Sequence, residues 1–221
     1  NGITYDTYQV KIDELAVSSI KDKEYTGKPV TQNIVIKNGN VVLDEGTDYT
    51  VSYSANTKVG TVEVTITGTG SYIGEIKSSF DILPAKQQIQ KLETRFKGFF
   101  IDWAQKGSAT GYEIEYSTNA DFKDSTVKKL TANKPDTLTI SGLTAGNKYY
   151  VRVRSYTNVG EKVYYGAWSD SKNVTAAKYD ITKSAISGIS TKTYTGKNIT
   201  QSVKVKYNGK TLKSGTDYTV S

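Results

Sequence analysis

The sequence predicts an all-β protein built of tandem β-sandwich modules in an elongated array. Three features support this prediction: a long internal repeat, short segments in which apolar and polar residues alternate, and turns rich in glycine. Such alternation places one face of each strand in a core and the other face in solvent. The division into modules follows from the repeat.

The repeat aligns residues 25–52 with residues 194–221, at an offset of 169 positions and without a gap. Fifteen of the 28 aligned positions are identical, whereas ordinary residue usage would give roughly two. YTGK opens both copies and GTDYTVS closes both. Because the offset exceeds the ~20 to 50 residues of a solenoid repeat, each period is predicted to contain more than one domain.

Four parts of the chain follow from this repeat. Residues 1–11 are predicted to be the end of a preceding module or a linker. Residues 12–84 (the first module) and 85–178 (the middle module) are predicted to be two sandwiches of different sequence, and residues 179–221 (the third segment) a truncated second copy of the first. Pro84 lies at a boundary, in ILPAK, where it is expected to stiffen a very short linker.

In the first module, alternation marks the strands and glycine marks the turns. The segment VEVTITGTG places Val62, Val64 and Ile66 on one face of a strand. Four glycines occur where turns or bulges between short strands are expected: Gly60, Gly68, Gly70 and Gly74.

The third segment contains the strongest hairpin signal, Asn208-Gly209, because a type I′ turn needs positive φ at both central residues. In the first copy the matching turn is expected to be shifted to residues 38–40. The third segment has no counterpart of residues 53–84, and half a sandwich cannot bury its apolar face alone. We therefore expect either the truncated edge of a longer array or completion by strands of another chain.

Four rows of inward-facing apolar residues, separated by polar turns, predict a sandwich in the middle module. The rows are Phe99-x-Ile101-x-Trp103, Tyr112-x-Ile114-x-Tyr116, Leu138-x-Ile140 and Tyr149-x-Val151-x-Val153.

Several motifs of the first module suggest a family. They are Tyr25-Thr26-Gly27-Lys28, Leu43-x-x-Gly46-Thr47-Asp48-Tyr49, Asn56-x-x-Val59-Gly60-Thr61, Gly68-x-Gly70-x-Tyr72-x-Gly74 and Phe80-x-Ile82. In these motifs the module resembles the Ig-like repeats of cell-surface and secreted proteins of Gram-positive bacteria. The resemblance covers nearly the whole module and implies an Ig-like β-sandwich, with a partial Ig-like copy in the third segment.

The middle module has a corner tyrosine and a strand tryptophan at informative positions. The spacing Leu143-x-x-Gly146-x-x-Tyr149 is similar to the tyrosine corner of fibronectin type III domains, and Trp103 stands where that family buries a tryptophan on its second strand. The resemblance extends over residues 85–178 and implies a fibronectin type III-like sandwich.

A second motif of the middle module, Gly166-x-Trp168-Ser169, resembles the terminal-strand motif of the same family, in which an indole stacks against arginines of the neighbouring strand. Arg152 and Arg154 alternate with valines and are expected on that outer face. Structural roles are therefore expected for Trp103, Leu143, Tyr149, Trp168, Arg152 and Arg154.

The composition excludes several kinds of catalytic site. The chain contains no Cys, His or Met, which excludes thiolate metal sites, thiol nucleophiles and hydrolases that use a Ser-His pair. Any acid–base pair would need carboxylates with shifted pKa values. We expect a protein that is not an enzyme and has no cofactor.

The net charge of +7 is distributed unevenly, as −4 in the first module, +6 in the middle module and +5 in the third segment. This pattern fits solvated strands, or attraction to anionic cell-wall polymers and acidic glycans. Nucleic acid is not expected, because the lysines are scattered along alternating strands. The sequence contains no run of ~18 apolar residues that would span a membrane.

Two groups of side chains are candidates for binding. Tyr164, Tyr165 and Lys162 form a candidate partner surface because tyrosine can stack on sugars, although tyrosine also packs well in strands. Carboxylates within residues 44–48 offer oxygens for Ca²⁺, but two of the three aligned positions in the second copy are a Lys and a Ser. We therefore expect a solvated turn in which Asp48 accepts hydrogen bonds from local backbone donors.

These features predict a non-catalytic extracellular spacer, or stalk, of a bacterial cell-surface or secreted protein, presenting a distal functional domain. The expected partners are neighbouring modules of the same chain, with cell-wall polymers or host glycans and proteins as further candidates. Two alternatives remain open: an adhesin or carbohydrate-binding module, and accessory modules of a cell-wall-associated enzyme.

Overall fold

Strands dominate the computed structural model, which describes residues 9–104, 107–134 and 136–221. The prediction of an all-β chain of tandem sandwich modules is confirmed. The two short helices that occur among the described residues are single 3₁₀ turns at Ile12–Glu14 and Ile181–Lys183. They occupy equivalent positions in the two copies of the repeat.

The first module pairs a four-stranded sheet with a three-stranded sheet. Its strands, with the short lead-in strand, are β1 Val10–Lys11, β2 Ala16–Val17, β3 Lys23–Glu24, β4 Ile36–Asn38, β5 Val41–Val42, β6 Tyr49–Tyr53, β7 Gly60–Gly68, β8 Tyr72–Ile73 and β9 Glu75–Leu83. The sheets have the orders β3-β9-β7-β6 and β2-β4-β5, with β3 parallel to β9. Val62, Val64 and Ile66 point into the core and are fully buried, as their alternation predicts.

The lead-in strand β1 belongs to the first module in space. Val10 and Lys11 pair in parallel with Tyr72 and Ile73 of β8, so the module extends two residues beyond the predicted boundary at residue 12. The rest of the predicted preceding element lies mostly in residues 1–8, outside the described part of the chain.

The middle module is a second sandwich. Its strands are β10 Ile89–Arg95, β11 Gly98–Trp103, β12 Gly111–Ser117, β13 Thr126–Leu130, β14 Thr137–Ile140, β15 Lys148–Val159, β16 Lys162–Tyr165 and β17 Lys172–Thr175. The sheet β10-β11-β14 faces a five-stranded sheet, β13-β12-β15-β16 with β17 also paired to β15. The predicted rows line the core between the sheets, and Trp103 is fully buried beside Tyr112.

The third segment repeats the three-stranded sheet of the first module with strands β18 Ala185–Ser187, β19 Lys204–Tyr207 and β20 Lys210–Thr211. The pairing Ala185↔Lys206 corresponds to Ala16↔Lys37, so the register is preserved. The apolar face is not covered: Ile181 is 45% exposed, whereas its counterpart Ile12 is fully buried.

The hairpin turn of the first copy is not shifted, which corrects the sequence-based expectation. The β4–β5 loop consists of residues 39–40 and the β19–β20 loop of residues 208–209, which are the aligned positions. Asn208 and Gly209 have φ values of 44° and 79°, as a type I′ turn requires, whereas in the first copy Gly39 alone has a positive φ, of 60°. Glycine at the first central position is the signature of a type II′ turn. The two copies of the repeat therefore form the same hairpin loop with two different turn types.

Candidate functional site

The junction between the first and middle modules is held by the linker backbone. The Ser155 hydroxyl of β15 donates a hydrogen bond to the Ala85 carbonyl at 3.0 Å. On the other side, the Glu24 carboxylate of β3 accepts a hydrogen bond from the Lys86 backbone N–H at 3.1 Å. The linker is therefore tied to both modules within two residues.

Four polar side chains meet beside this linker, and we call them the latch cluster: Thr61, Asp81, Lys162 and Tyr164. The Thr61 hydroxyl donates to Asp81 at 2.6 Å and lies 2.9 Å from the Tyr164 hydroxyl. Lys162 Nζ donates to the other Asp81 oxygen at 3.0 Å and to Thr61 Oγ1 at 3.3 Å. Since the single Thr61 proton goes to the carboxylate, Tyr164 must donate to Thr61.

The charges of the latch cluster stabilise each other. Burial alone would raise the pKa of Asp81, but hydrogen bonds from Thr61 and Lys162 outweigh burial and lower that pKa below its ordinary value. The hydrogen bond to Asp81 raises the pKa of Lys162 above its ordinary value. The ion pair remains partly hydrated, because the Lys162 side chain is 56% exposed.

The structure places the candidate partner surface at this junction. Tyr164 is only 5% exposed, and both its hydroxyl and Lys162 are directed at the first module. Tyr165 is half-buried, with its ring under the Arg154 guanidinium. Because the Tyr164 ring is not open to solvent, it cannot act as the sugar-stacking platform that the sequence suggested.

The junction between the middle module and the third segment has an aromatic and an ionic contact. Phe96 stacks on Tyr179 with ring centroids 3.6 Å apart, and Tyr179 in turn lies 5.0 Å from the Tyr207 ring. Lys97 Nζ lies 3.0 Å from the Asp217 carboxylate. Phe96 and Lys97 form the turn between β10 and β11, so one tight turn supplies both contacts.

Asp217 also organises its own loop. Its second carboxylate oxygen accepts a hydrogen bond from the Lys213 backbone N–H at 2.9 Å. That backbone bond and the Lys97 ammonium together lower the pKa of Asp217 below its ordinary value. One carboxylate oxygen of Asp217 thus stabilises the loop, and the other oxygen is available to the Lys97 ammonium of the middle module.

The outer face of the middle module carries an alternating stack of cations and rings. The Trp168 ring lies between the guanidinium carbons of Arg152 and Arg154, at 4.8 Å and 4.3 Å from the ring centroid. Arg152 also lies 4.0 Å from the Phe122 ring, and Arg154 lies 4.1 Å from the Tyr165 ring. Each arginine therefore contacts two aromatic rings.

Two carboxylates hold the arginines of this stack in place. Glu115 accepts from Arg152 Nε at 2.5 Å, and Glu113 accepts from Arg154 Nη2 at 2.7 Å. Both glutamates are less than 10% exposed, so their charges require these partners. The sequence analysis did not single them out, although the alternation in Tyr112-x-Ile114-x-Tyr116 places both on the arginine face.

The two family motifs of the middle module are seen as local hydrogen bonds. Ser169 occupies both backbone groups of Val153, donating its N–H at 2.8 Å and accepting through its hydroxyl at 3.1 Å. The Tyr149 hydroxyl accepts a hydrogen bond from the Thr144 N–H at 3.1 Å. Leu143 packs against the core beside this corner.

The candidate Ca²⁺ carboxylates form a turn. Asp48 accepts a hydrogen bond from the Asp44 N–H at 2.9 Å, in the same way as Asp217 does in the second copy. Across residues 9–104, 107–134 and 136–221, no three acidic side chains cluster closely enough to hold a metal ion.

The residues at the junctions were mostly missed from the sequence. Asp81, Phe96 and Lys97 belong to no motif, and Thr61 ends a family motif that says nothing about a neighbouring module; only tertiary structure brings these side chains to the junctions. Asp217 could have been found, because it lies in the repeated GTDYTVS segment.

Comparison with known proteins identifies one domain. Residues 91–170 match the family described as fibronectin type III domain. A solved structure titled "Myokine structure" is similar at 10% identity and a TM-score of 0.37, over 43% of this chain and 99% of that chain. The crystal structure of chicken CNTN1 FN1-FN3 domains is similar at 14% identity and a TM-score of 0.38, over 55% of this chain and 44% of that chain.

A search of curated proteins found no match. The family match shows a fibronectin type III domain at residues 91–170. Domains of this type are typical of modular extracellular proteins and are generally non-catalytic. No helix in the described part of the chain is long and apolar enough to cross a membrane.

Proposed function

We propose that this chain is a non-catalytic spacer in an extracellular bacterial surface or secreted protein, which holds a distal functional domain away from its anchor. The observation that carries the proposal is direct contact between consecutive modules at both junctions. A linker that is hydrogen-bonded to both of its modules restricts the orientation of one module relative to the next.

The repeat supports the same proposal. The first module and the third segment share the β-sheet register and the turn that ends in GTDY. We propose that both are Ig-like modules and that they alternate with fibronectin type III domains along the protein. Repetition of a structural unit increases the length of the protein without adding a new binding or catalytic site, as a spacer requires.

A tether experiment tests the spacer function. The chain is anchored to a surface at its C-terminus, with a fluorescent reporter at its N-terminus, and reporter height is measured by distance-dependent quenching. We expect a greater height than with an unstructured Gly/Ser linker of equal residue count, because folded modules resist collapse. Equal heights for the two tethers would contradict the proposal.

An array of glycans and cell-surface proteins tests the adhesin alternative. A spacer should give no saturable binding. Saturable binding at micromolar concentration, lost in Tyr165→Ala but kept in Tyr150→Ala, would instead favour a carbohydrate-binding module.

A second candidate function, binding of anionic wall polymers, is favoured by the outer face of the third segment. Lys204 and Lys206 are exposed on β19, on either side of the buried Val205. Co-sedimentation with a polyanion such as polyglutamate should weaken in Lys204→Ser/Lys206→Ser and at high salt. Lys37→Ser is the matched control, since Lys37 is aligned with Lys206 in the acidic first module. Equal losses in both variants, or no binding at low salt, would contradict this function.

A further inference from the structure

We propose that the middle module is a rigid coupler with two interaction surfaces, one for each flanking module, so that all three hold fixed relative orientations. The coupler rests on the proposed spacer function and goes beyond it, because a spacer can also be a flexible tether. The first surface is the β15–β16 hairpin, which receives an Ig-like module. The second is the β10–β11 turn, which receives the GTDY loop of the next copy.

The hydrogen bonds of the latch cluster fix the first surface. The Thr61 hydroxyl uses its one proton and both lone pairs, bonding Asp81 in its own module and Tyr164 and Lys162 in the middle module. A hydroxyl saturated in this way constrains the direction of each partner. The buried position of Tyr164 limits competition from water.

The linker fits tightly against the hairpin. Gly166, which directly follows β16, lies so close that a Cβ atom would be 2.6 Å from the Pro84 carbonyl oxygen and 3.3 Å from the Ala85 carbonyl oxygen. Gly166 N–H bonds the Ser155 carbonyl, and the Ser155 hydroxyl bonds Ala85. The backbone of the linker therefore packs directly against the backbone at Gly166, which restricts the movement of the linker.

The second surface combines stacking with charge. The 26° angle between the Phe96 and Tyr179 rings gives extensive face contact, and Lys97 reaches the oxygen that Asp217 leaves free. Two contacts of different direction, from adjacent residues of one turn, resist both twisting and bending of the third segment.

Distance measurements between spin labels test the coupler. The chain has no Cys, so Thr50→Cys and Lys128→Cys place one label on an exposed strand position of each of the first two modules. Pulsed electron paramagnetic resonance should give one narrow distance distribution. We expect Gly166→Ala, and separately Thr61→Val/Lys162→Met, to widen it about twofold, because a linker without fixed contacts samples many orientations.

The matched control for the first junction is Thr65→Val, on the same face of β7, for which the described residues show no side-chain hydrogen bond to the middle module. It should leave the width unchanged. For the second junction, labels at Lys128→Cys and Lys204→Cys should report widening in Lys97→Met but not in Lys148→Met, which changes a lysine of strand β15 instead of the β10–β11 turn. Circular dichroism and thermal melting of each variant separate a loosened junction from a lost fold.

Two results would overturn the coupler. The first is a wild-type distribution as wide as that of a chain with Gly-Ser-Gly-Ser inserted after Leu83. The second is an unchanged width in the folded junction variants. In either case the spacer function would survive as a flexible tether if the reporter-height experiment succeeds, so failure of the coupler and failure of the spacer are distinguishable.

Discussion

Charge as well as burial determines the position of Trp168. Its ring is only half-buried, yet it lies between two guanidinium groups that are themselves held by buried carboxylates. Each carboxylate fixes a cation, and each cation fixes two rings. At the scale of single residues, the outer face of the middle module is therefore stabilised by paired polar groups rather than by a second core.

Trp168→Ala should destabilise the middle module. Loss of two cation–π contacts is expected to lower the free energy of unfolding by about 1 to 3 kcal/mol. Urea unfolding followed through the fluorescence of Trp103 measures this change. Tyr150→Leu, on β15 with Lys148 Nζ over its ring, should cost less. A change within about 0.5 kcal/mol of wild type would show that the stack contributes little.

Tyr149→Phe tests the tyrosine corner. The variant keeps the ring in the core but removes the acceptor of the Thr144 N–H, so stability should fall by about 1 kcal/mol. Tyr150→Phe is the control, because no hydrogen bond of the Tyr150 hydroxyl is seen in the described part of the chain. Equal midpoints in urea for the two variants would be the contrary outcome.

At the scale of elements, the two copies of the repeat separate local from tertiary contributions. Strands β18, β19 and β20 keep the register of β2, β4 and β5, and Tyr218 bonds the Val203 carbonyl as Tyr49 bonds Ile34. The hairpin turn and the strand pairing of the third segment are therefore present without partners equivalent to β7 and β9. The apolar face of the third segment is not buried in the same way, because in the first module β7 and β9 belong to the sheet that covers this face.

Hydrogen exchange should distinguish the two copies. Amides of β18–β20 are expected to exchange faster than the register-equivalent amides of β2, β4 and β5, since local opening exposes little additional apolar surface. Mass spectrometry of peptides from the two segments measures the difference. Equal protection would mean that another polypeptide, such as a second copy of the chain, covers the third segment.

At the scale of the whole molecule, the modules are joined by ion pairs of the same kind: Lys162 with Asp81, and Lys97 with Asp217. Each pair links a cation of the basic middle module to a carboxylate of a neighbouring module. The middle module thus supplies one lysine ammonium to the ion pair at each junction.

The first junction should loosen in acid. The pKa of Asp81 is lowered by folding, so its contribution is fully present above its ordinary value of 3.8 and is lost as the pH falls below it. The raised pKa of Lys162 keeps its contribution present below 10.5, with loss as the pH rises further. The Asp22 carboxylate accepts a hydrogen bond from the Asp81 backbone N–H.

The label distance between Thr50→Cys and Lys128→Cys, measured against pH, tests this dependence. The distance distribution should be narrow at pH values between the ordinary pKa of Asp81 and that of Lys162, and it should widen as the pH falls below the ordinary pKa of Asp81. In Asp81→Asn the distribution should be wider than wild type in that pH range and should not widen further in acid. An identical acidic transition in Asp81→Asn would assign the effect to another carboxylate.

The sequence by itself determined the all-β class, the inward rows of the sandwich cores, the repeat and the Asn208-Gly209 hairpin. These depend on alternation and turn chemistry, which are properties of neighbouring residues. It also placed Trp168 with Arg152 and Arg154, because a family motif carries that pairing.

Only the tertiary structure decided which side chains join the modules. Thr61 and Tyr164 lie about one hundred positions apart, and their contact depends on how two sandwiches meet across the linker between β9 and β10. The same geometry buries Tyr164, which the sequence offered as one candidate for stacking on sugars, in the contact between the modules. Sequence periodicity specifies which face of a strand is buried, but not which neighbour covers it, because burial depends on distant chain segments.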